Sequence, residues 1–184
     1  MKTLLIKLFF PFTLLAILFF SGLATAQDDA SEYRLDQGDR ISILVFDEPD
    51  LTLEAEVGAN GIINYSYLGD IQIAGRTTQE LEQTLTERLK DGFLVNPSVN
   101  VSIVEYRPFY INGEVRSPGS YPYEPGLTVE KAIALAGGLT DRASTRKMYV
   151  LRNDESQASS KQQKQRMSSK LFPGDILTIR EGFF

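Results

Sequence analysis

The fold is decided by residues 113–138, whose sequence is GEVRSPGSYPYEPGLTVEKAIALAGG. Pro118 and Gly119 predict a turn, because proline presets φ and glycine accepts a positive φ. The flanking residues predict two short strands over residues 110–115 and 120–123, of which the second is confined to a sheet edge or a bulge by its proline. The segment therefore begins with a β-hairpin.

A short helix is predicted directly after this hairpin. Thr128 is a favourable N-cap, and Glu130 lies near the positive end of the helix. The helix has one apolar face at i, i+3, i+4 and i+7, formed by Val129, Ala132, Ile133 and Ala136. The pair of glycines at 137 and 138 ends it, since glycine suits the left-handed position after a helix. A hairpin followed by a small-residue helix predicts the opening of a compact β-grasp unit.

Residues 1–26 predict a secretory signal peptide. Lys2 and Lys7 precede an apolar run over residues 8–20, and residues 24–26 match an A-x-A cleavage site. The alternative is a retained membrane anchor, for which the run is short against a span of ~20 residues. Cleavage would leave 158 residues (184 minus 26) and a formal charge of −7, since two lysines are lost from −5.

The composition narrows the function. A net acidic chain repels phosphate, so no nucleic-acid partner is expected. The sequence has no cysteine, so neither disulfides nor a lipid-anchoring cysteine after the signal peptide are predicted. It has no histidine either, so histidine-based metal sites and catalytic bases are excluded. No cofactor is predicted.

Residues 27–106 predict a first domain rich in strands. Residues 40–46 are apolar on both faces, which predicts a strand covered on both sides. Asn60 and Gly61 favour a two-residue turn that would pair the strands at 53–57 and 62–67 as a hairpin. One helix is predicted from a capping box and a leucine stripe, formed by Thr77, Glu80, Leu81, Leu85 and Leu89.

Residues 107–184 predict a second domain. The serine- and glutamine-rich residues 153–170 predict a mobile excursion between two strands. A short echo links residues 38–43, GDRISI, with residues 174–179, GDILTI. A common turn-to-strand device explains the echo as well as a duplicated domain does.

Both halves resemble bacterial polysaccharide export proteins. The pattern G-E-V-x-x-P-G-x-Y, then G-L-T and A-I-x-x-A-G-G, resembles their soluble-ligand-binding β-grasp domain. The first half is similar to their export domain through Y-x-L-x-x-G-D, V-F-x-E-P-x-L, G-x-I-x-V-A-G-x-T-x-x-E-L and N-P-x-V, which begin at residues 33, 45, 69 and 96. Ile73 takes the valine place in the third pattern. The resemblance covers about residues 33 to 180.

The resemblance implies an α+β fold: a small β-rich export domain with one packed helix, followed by a β-grasp domain. It implies a periplasmic component of a capsular, exopolysaccharide or biofilm export machine, acting as conduit or adaptor and not as an enzyme. Its partners would be the polysaccharide, an inner-membrane polysaccharide co-polymerase and further copies of itself in a ring.

The sequence departs from the larger family members. They carry further β-grasp domains and a C-terminal amphipathic helix, whereas a strand pattern ends this sequence. A short soluble member is therefore expected, associated with the outer membrane through partners and needing a separate channel there, most simply a β-barrel. The alternative function is a freestanding periplasmic carbohydrate-binding or sensing module.

Three groups of residues are candidate sites. The neighbouring carboxylates Asp47, Glu48 and Asp50 predict a turn. A glycosidase site is disfavoured, because it needs two carboxylates flanking a sugar bond. A calcium site is also disfavoured, because it needs a loop of spaced ligands. Four tyrosines predict either stacking on sugar rings or packing in the core or at an interface: Tyr106, Tyr110, Tyr121 and Tyr123. The basic residues predict contact with an anionic polysaccharide or acidic partner, or a solvated loop, and they are Lys161, Lys164, Arg166 and Lys170.

Overall fold

The computed structural model describes residues 33–152 and 161–182. The predicted signal peptide, residues 1–26, lies outside the described residues. The fold class is α+β, as predicted. The described residues of the first half form, in chain order, β1 (Arg40–Val45), β2 (Leu53–Glu56), β3 (Ile62–Tyr65), β4 (Gly69–Gln72), α1 (Thr78–Lys90) and β5 (Val99–Glu105).

The first half is built around one antiparallel sheet with strand order β2-β1-β5, beside a separate β3-β4 hairpin. Its helix α1 packs against β5. The predicted capping box is confirmed, since Thr77 Oγ1 accepts from Glu80 N (3.1 Å) and a Glu80 carboxylate oxygen accepts from Thr77 N (3.0 Å). The predicted stripe is also confirmed, and Leu81, Leu85 and Leu89 are fully buried.

Two predictions for the first half are wrong. Asn60 and Gly61 do not join paired strands, because β2 pairs with β1 while β3 pairs with β4. The turn preference was satisfied locally, with Gly61 N bonded to Gly58 O, but a turn does not determine the partner of the strand before it. The strand β1 is also covered on one side only, not on both as predicted, since Leu44 and the following Phe46 are 40% and 57% exposed.

The second half is built around a five-stranded sheet with order β7-β6-β10-β8-β9 among the described residues. Its elements are β6 (Phe109–Gly113), β7 (Gly119–Tyr121), α2 (Val129–Leu135), β8 (Ala143–Arg152), β9 (Lys161–Gln165) and β10 (Ile176–Glu181). Strands β6 and β10 are parallel, and the other pairs are antiparallel. Gly113, at the end of β6, has no room for a side chain, because any Cβ there would collide with the Ile179 carbonyl.

The predicted helix of the second half is confirmed as α2. Thr128 Oγ1 accepts from Lys131 N (3.3 Å), and the predicted apolar face of the helix is buried. Gly137 and Gly138 end it at φ values of 78° and 94°. Neither α1 nor α2, the helices of the part described, is long and apolar enough to cross a membrane.

The predicted mobile excursion is wrong for its second part. Residues 161–165 form the edge strand β9, which pairs with β8. Residues 166–171 are then anchored to the start of α2 by bonds from Val129 N to Ser169 O (3.0 Å) and from Leu171 N to Leu127 O (3.0 Å). An edge strand needs few apolar residues, which is why the composition suggested a loop. Residues 153–160 lie outside the described residues.

Each half has its own hydrophobic cluster. The first contains buried residues between Leu35 and Val101, and the second contains buried residues between Phe109 and Ile179. The predicted domain limits at residues 26, 106 and 184 remain predictions.

Candidate functional site

Three tyrosines meet between the two halves. The rings of Tyr33 and Tyr106 lie edge to face with centroids 5.1 Å apart, and Tyr106 and Tyr123 do the same at 5.5 Å. Burial raises the pKa of all three hydroxyls, and the charge of Asp39 raises the pKa of Tyr33 and Tyr106 further. The structure thus brings two of the predicted sugar-contact residues together, but their rings pack on one another across the junction.

Asp39 is the polar centre of this junction. Its carboxylate is completely buried and accepts bonds from the Tyr33 hydroxyl (2.7 Å), Asp36 N (2.8 Å) and Arg107 N (2.8 Å). The Arg107 guanidinium lies 3.4 Å from both Asp36 and Asp39. Because Arg107 begins the second half, these contacts tie the two halves together.

Asp175 forms a second corner of the same kind. Its carboxylate is also fully buried, accepts from Phe172 N (2.8 Å) and receives two bonds from Arg152, at 2.7 Å from Nε and 2.6 Å from Nη2. The Arg152 guanidinium lies 4.2 Å from the centre of the Phe172 ring. The glycine before each aspartate has a positive φ, 88° at Gly38 and 82° at Gly174. The sequence echo therefore corresponds to a shared corner geometry.

The other two predicted tyrosines, Tyr121 and Tyr110, lie on opposite faces of the paired strands β6 and β7. The Tyr121 ring stacks on Phe109 with centroids 5.9 Å apart, and its hydroxyl donates to Ser117 O (2.6 Å). Tyr110 is 45% exposed on the outer side of β6. The four tyrosines do not form one site.

The outer face of the five-stranded sheet is set by alternation along its strands. Met148, Val150, Leu177 and Ile179 belong to the buried cluster that includes α2. The residues between them therefore point to the opposite face. Strand register adds neighbours from β6 and β9, because Tyr110 pairs with Ile176 and Lys164 pairs with Tyr149. We call this surface the outer face, and it consists of Tyr110, Asn112, Lys147, Tyr149, Leu151, Gln162, Lys164, Ile176, Thr178 and Arg180.

The outer face is basic. The Arg180 guanidinium lies 4.7 Å from the centre of the Tyr149 ring, and its Nη2 is 3.5 Å from an oxygen of Gln162. Lys147 Nζ donates to the main-chain oxygen of Glu181 at 3.2 Å. Among the described residues of the five strands, the outward positions carry Lys147, Lys164 and Arg180 and no carboxylate.

The predicted basic patch is divided by the fold. Lys164 lies on the outer face, Lys161 begins β9, and Arg166 is exposed just after that strand. Lys170 forms an isolated antiparallel β-bridge with Thr128, directly before α2. Sequence reasoning missed Tyr149 and Arg180. The alternation of apolar residues in their strands could have placed each on a polar face, but it could not have shown that the two strands are neighbours.

The predicted carboxylate turn is confirmed. Asp47 has a φ of 62°, and Glu48 precedes a short 3-10 turn, Pro49–Leu51, in which Leu51 N donates to Glu48 O (3.1 Å). The Glu48 side chain itself makes no cap hydrogen bond. Within residues 33–152 and 161–182, no group of three acidic side chains is placed to hold a metal ion.

The fold and the junction define a two-part, β-rich scaffold with a basic sheet face. Comparison with known proteins identifies the family of each part. The model of the polysaccharide biosynthesis/export protein family matches residues 27–104, and the SLBB domain matches residues 108–160. The chain belongs to the polysaccharide biosynthesis/export protein family, and its second half carries an SLBB domain.

Curated relatives have related names. The exopolysaccharide production protein ExoF of Rhizobium meliloti (strain 1021) is 35% identical over 147 residues, which are 73% of this chain and 34% of that protein. The EPS I polysaccharide export outer membrane protein EpsA of Ralstonia solanacearum is 29% identical over 136 residues, 60% and 36% of the two chains. The polysialic acid transport protein KpsD of Escherichia coli is 26% identical over 110 residues, 59% and 20%. The matches span about a third or less of these relatives.

Proposed function

We propose that this protein is a periplasmic component of an exopolysaccharide or capsule export machine, where it acts as a conduit or adaptor without a chemical step. The observation that carries the proposal is the match to both family domains in one chain. The names of the relatives, which refer to exopolysaccharide production, polysaccharide export and polysialic acid transport, support it.

The junction supports an adaptor. Asp39 and Arg107 join the halves through a buried carboxylate, and the edge-to-face tyrosines pack beside them. Such contacts hold two parts in a fixed relation, which suits a protein that positions others. Its partners are proposed to be an inner-membrane polysaccharide co-polymerase, an outer-membrane channel and further copies of the chain in a closed ring.

Deletion of the gene in the native host tests the export role. Secreted polysaccharide is expected to fall and polymer is expected to accumulate inside the cell, as measured by sugar analysis of the medium and of the periplasmic fraction. A plasmid carrying the wild-type chain should restore secretion. The double variant Asp47→Asn/Glu48→Gln should restore it equally, because these residues lie in a turn to which the Glu48 side chain contributes no cap hydrogen bond.

Two results would contradict the export role. Unchanged secretion in the deletion strain would exclude it. Unchanged transport with altered transcription of polysaccharide genes would favour the sensing module instead. A failure of the carboxylate variant alone, with its folding intact, would point to a chemical step.

A further inference from the structure

We propose that the outer face of the five-stranded sheet binds carboxylated polysaccharide chains. This proposal names the class of polymer exported and rests on the export function proposed above. The binding groups would be the cations of Lys147, Lys164 and Arg180, with Tyr149 beside Arg180 and Tyr110 farther along the same face.

The charge of the outer face is opposite to that of the chain. The sequence has 24 acidic and 19 basic residues, yet the described outward positions of these strands hold three cations and no carboxylate. Neighbouring strands lie ~4.8 Å apart, so β9 and β10, on either side of β8, are separated by about 10 Å. That distance is close to the Debye length of about 8–10 Å at physiological salt, so the cations act together on one polyanion.

Arg180 is held ready for a carboxylate. Its guanidinium lies over the Tyr149 ring at 4.7 Å, which restricts the long side chain before any ligand arrives. The planar guanidinium fork matches a carboxylate with two parallel hydrogen bonds. A side chain already ordered loses less entropy on binding, so this contact favours affinity as well as charge matching.

The neutral groups of the face favour a sugar polymer over an acidic protein. Tyr110 is 45% exposed, and Asn112, Gln162 and Thr178 add amide and hydroxyl groups at outward positions. Amides and hydroxyls both donate and accept hydrogen bonds, as the hydroxyls of a sugar also do. Nucleic acid is disfavoured, because the remainder of the chain is acidic and repels phosphate.

Binding of the purified protein to defined polymers tests the assignment. Polygalacturonate is the carboxylated polysaccharide, dextran the neutral one, and polyglutamate the acidic polypeptide. We expect polygalacturonate to bind, dextran to bind far more weakly, and raised salt to reduce the difference. The double variant Lys164→Gln/Arg180→Gln should bind polygalacturonate about tenfold more weakly, the combined effect of two exposed charge contacts.

A matched control separates this face from net charge. The double variant Arg88→Gln/Lys90→Gln makes the same charge change on exposed residues of α1 and should bind like the wild type. Tyr110→Leu should weaken polygalacturonate binding about threefold, because it removes an aromatic face and a hydroxyl. The same change should leave polyglutamate unaffected. Circular dichroism melts should show all three variants folded.

Several outcomes would overturn the proposal. They are no binding of polygalacturonate, equal loss in both double variants, or polyglutamate binding as strong as polygalacturonate and lost with it. Export is scored separately in the deletion strain. Absent binding with export still dependent on the protein would remove this inference alone, whereas specific binding with unchanged secretion would remove the export role and leave a freestanding binding module.

Discussion

The Gly38-Asp39 corner and the Gly174-Asp175 corner use the same backbone geometry. Each aspartate exchanges bonds with the residue three positions earlier, Asp36 or Phe172, through its carboxylate and its own N–H. At the first corner Gly38 N donates to Val57 O, and Val57 N donates to Asp39 O. At the second, Gly174 N donates to Pro108 O, and the Asp175 carbonyl accepts from a residue two positions further along that segment, Tyr110. The local device is therefore the same in both halves.

The corners differ in the origin of the arginine. At Asp175 the arginine is Arg152, which comes from β8 of the same sheet and makes two short bonds. At Asp39 it is Arg107, which opens the other half and contributes its main-chain N–H and a longer side-chain contact of 3.4 Å. One corner thus closes a sheet, while the other joins two halves. The difference teaches that a short motif fixes local geometry and that its distant partner fixes its role.

The largest expected effect is loss of either buried aspartate. Asp39→Ala and Asp175→Ala should each lower the free energy of unfolding by about 3 kcal/mol or more, since each leaves an arginine without its buried partner. Urea titrations followed by circular dichroism measure this, because the sequence has no tryptophan. The exposed Glu54→Ala is the control and should change stability by no more than about 0.5 kcal/mol.

Hydrogen exchange separates the two roles. Asp39→Ala should speed exchange at the Arg107 N–H, across the junction, whereas Asp175→Ala should speed it at the Phe172 N–H. If either variant affected both corners equally, the distinction between a joining corner and a closing corner would be wrong.

Tyr33→Phe should have an intermediate effect confined to the first corner. It removes hydroxyl bonds of 2.7 and 2.8 Å to the buried Asp39, and bonds to charged groups contribute about 1.5–3 kcal/mol. The pKa of Tyr33 is raised far above its usual value of 10 by burial and by the charge of Asp39. The folded protein therefore keeps the proton when the unfolded chain releases it, so this stabilisation is present below pH 10 and is lost as the pH rises above it.

The alkaline comparison checks this sign. Wild type should lose stability more steeply than Tyr33→Phe between about pH 9 and about pH 11, as measured by urea titration at each pH. Tyr65, Tyr106 and Tyr123 also have raised pKa values, but both proteins contain them and their effect cancels in the difference. Parallel pH profiles would refute a buried, neutral Tyr33.

The smallest effects should come from the two corner glycines. Each Gly→Ala change places alanine at a φ near 85°, which costs roughly 1–2 kcal/mol. Gly174→Ala should cost more than Gly38→Ala, because its Cβ would lie 2.8 Å from Arg107 Nε, against 3.5 Å from Arg107 Cβ at Gly38. Gly126→Ala is the matched control, with a φ of 80° and open space around the new Cβ. In thermal melts Gly174→Ala should have the lowest melting temperature of the three variants. An equal cost at all three sites would mean that Arg107 does not press on Gly174.

Local signals predicted the helices well. The capping box at Thr77 and the leucine stripe lie within a few turns of chain, and a helix closes all its hydrogen bonds within that distance. Strand pairing was different. Asn60 and Gly61 form a turn as expected, but Leu53 and Ala55 pair with β1, a partner that the turn does not determine.

The candidate sites were harder to predict for the same reason. Tyr33 and Tyr106 are 73 positions apart (106 minus 33) and meet only through the junction. Tyr149 and Arg180 belong to strands whose neighbour relation depends on register, which no single segment contains. The Lys164 prediction identified a residue of the outer face, but its surroundings needed the folded sheet.

Strand β10 has a consequence for the timing of folding. It lies between β6 and β8, and its Ile176 pairs with Tyr110, a residue 66 positions earlier (176 minus 110). The second sheet therefore stays open at its middle until β10 has emerged, whereas every strand of the first sheet is available by Glu105. Contacts between distant residues form slowly, and chains that emerge N-terminus first fold their early parts first. We therefore expect the first half to fold first and Arg107 and the later half to assemble on it.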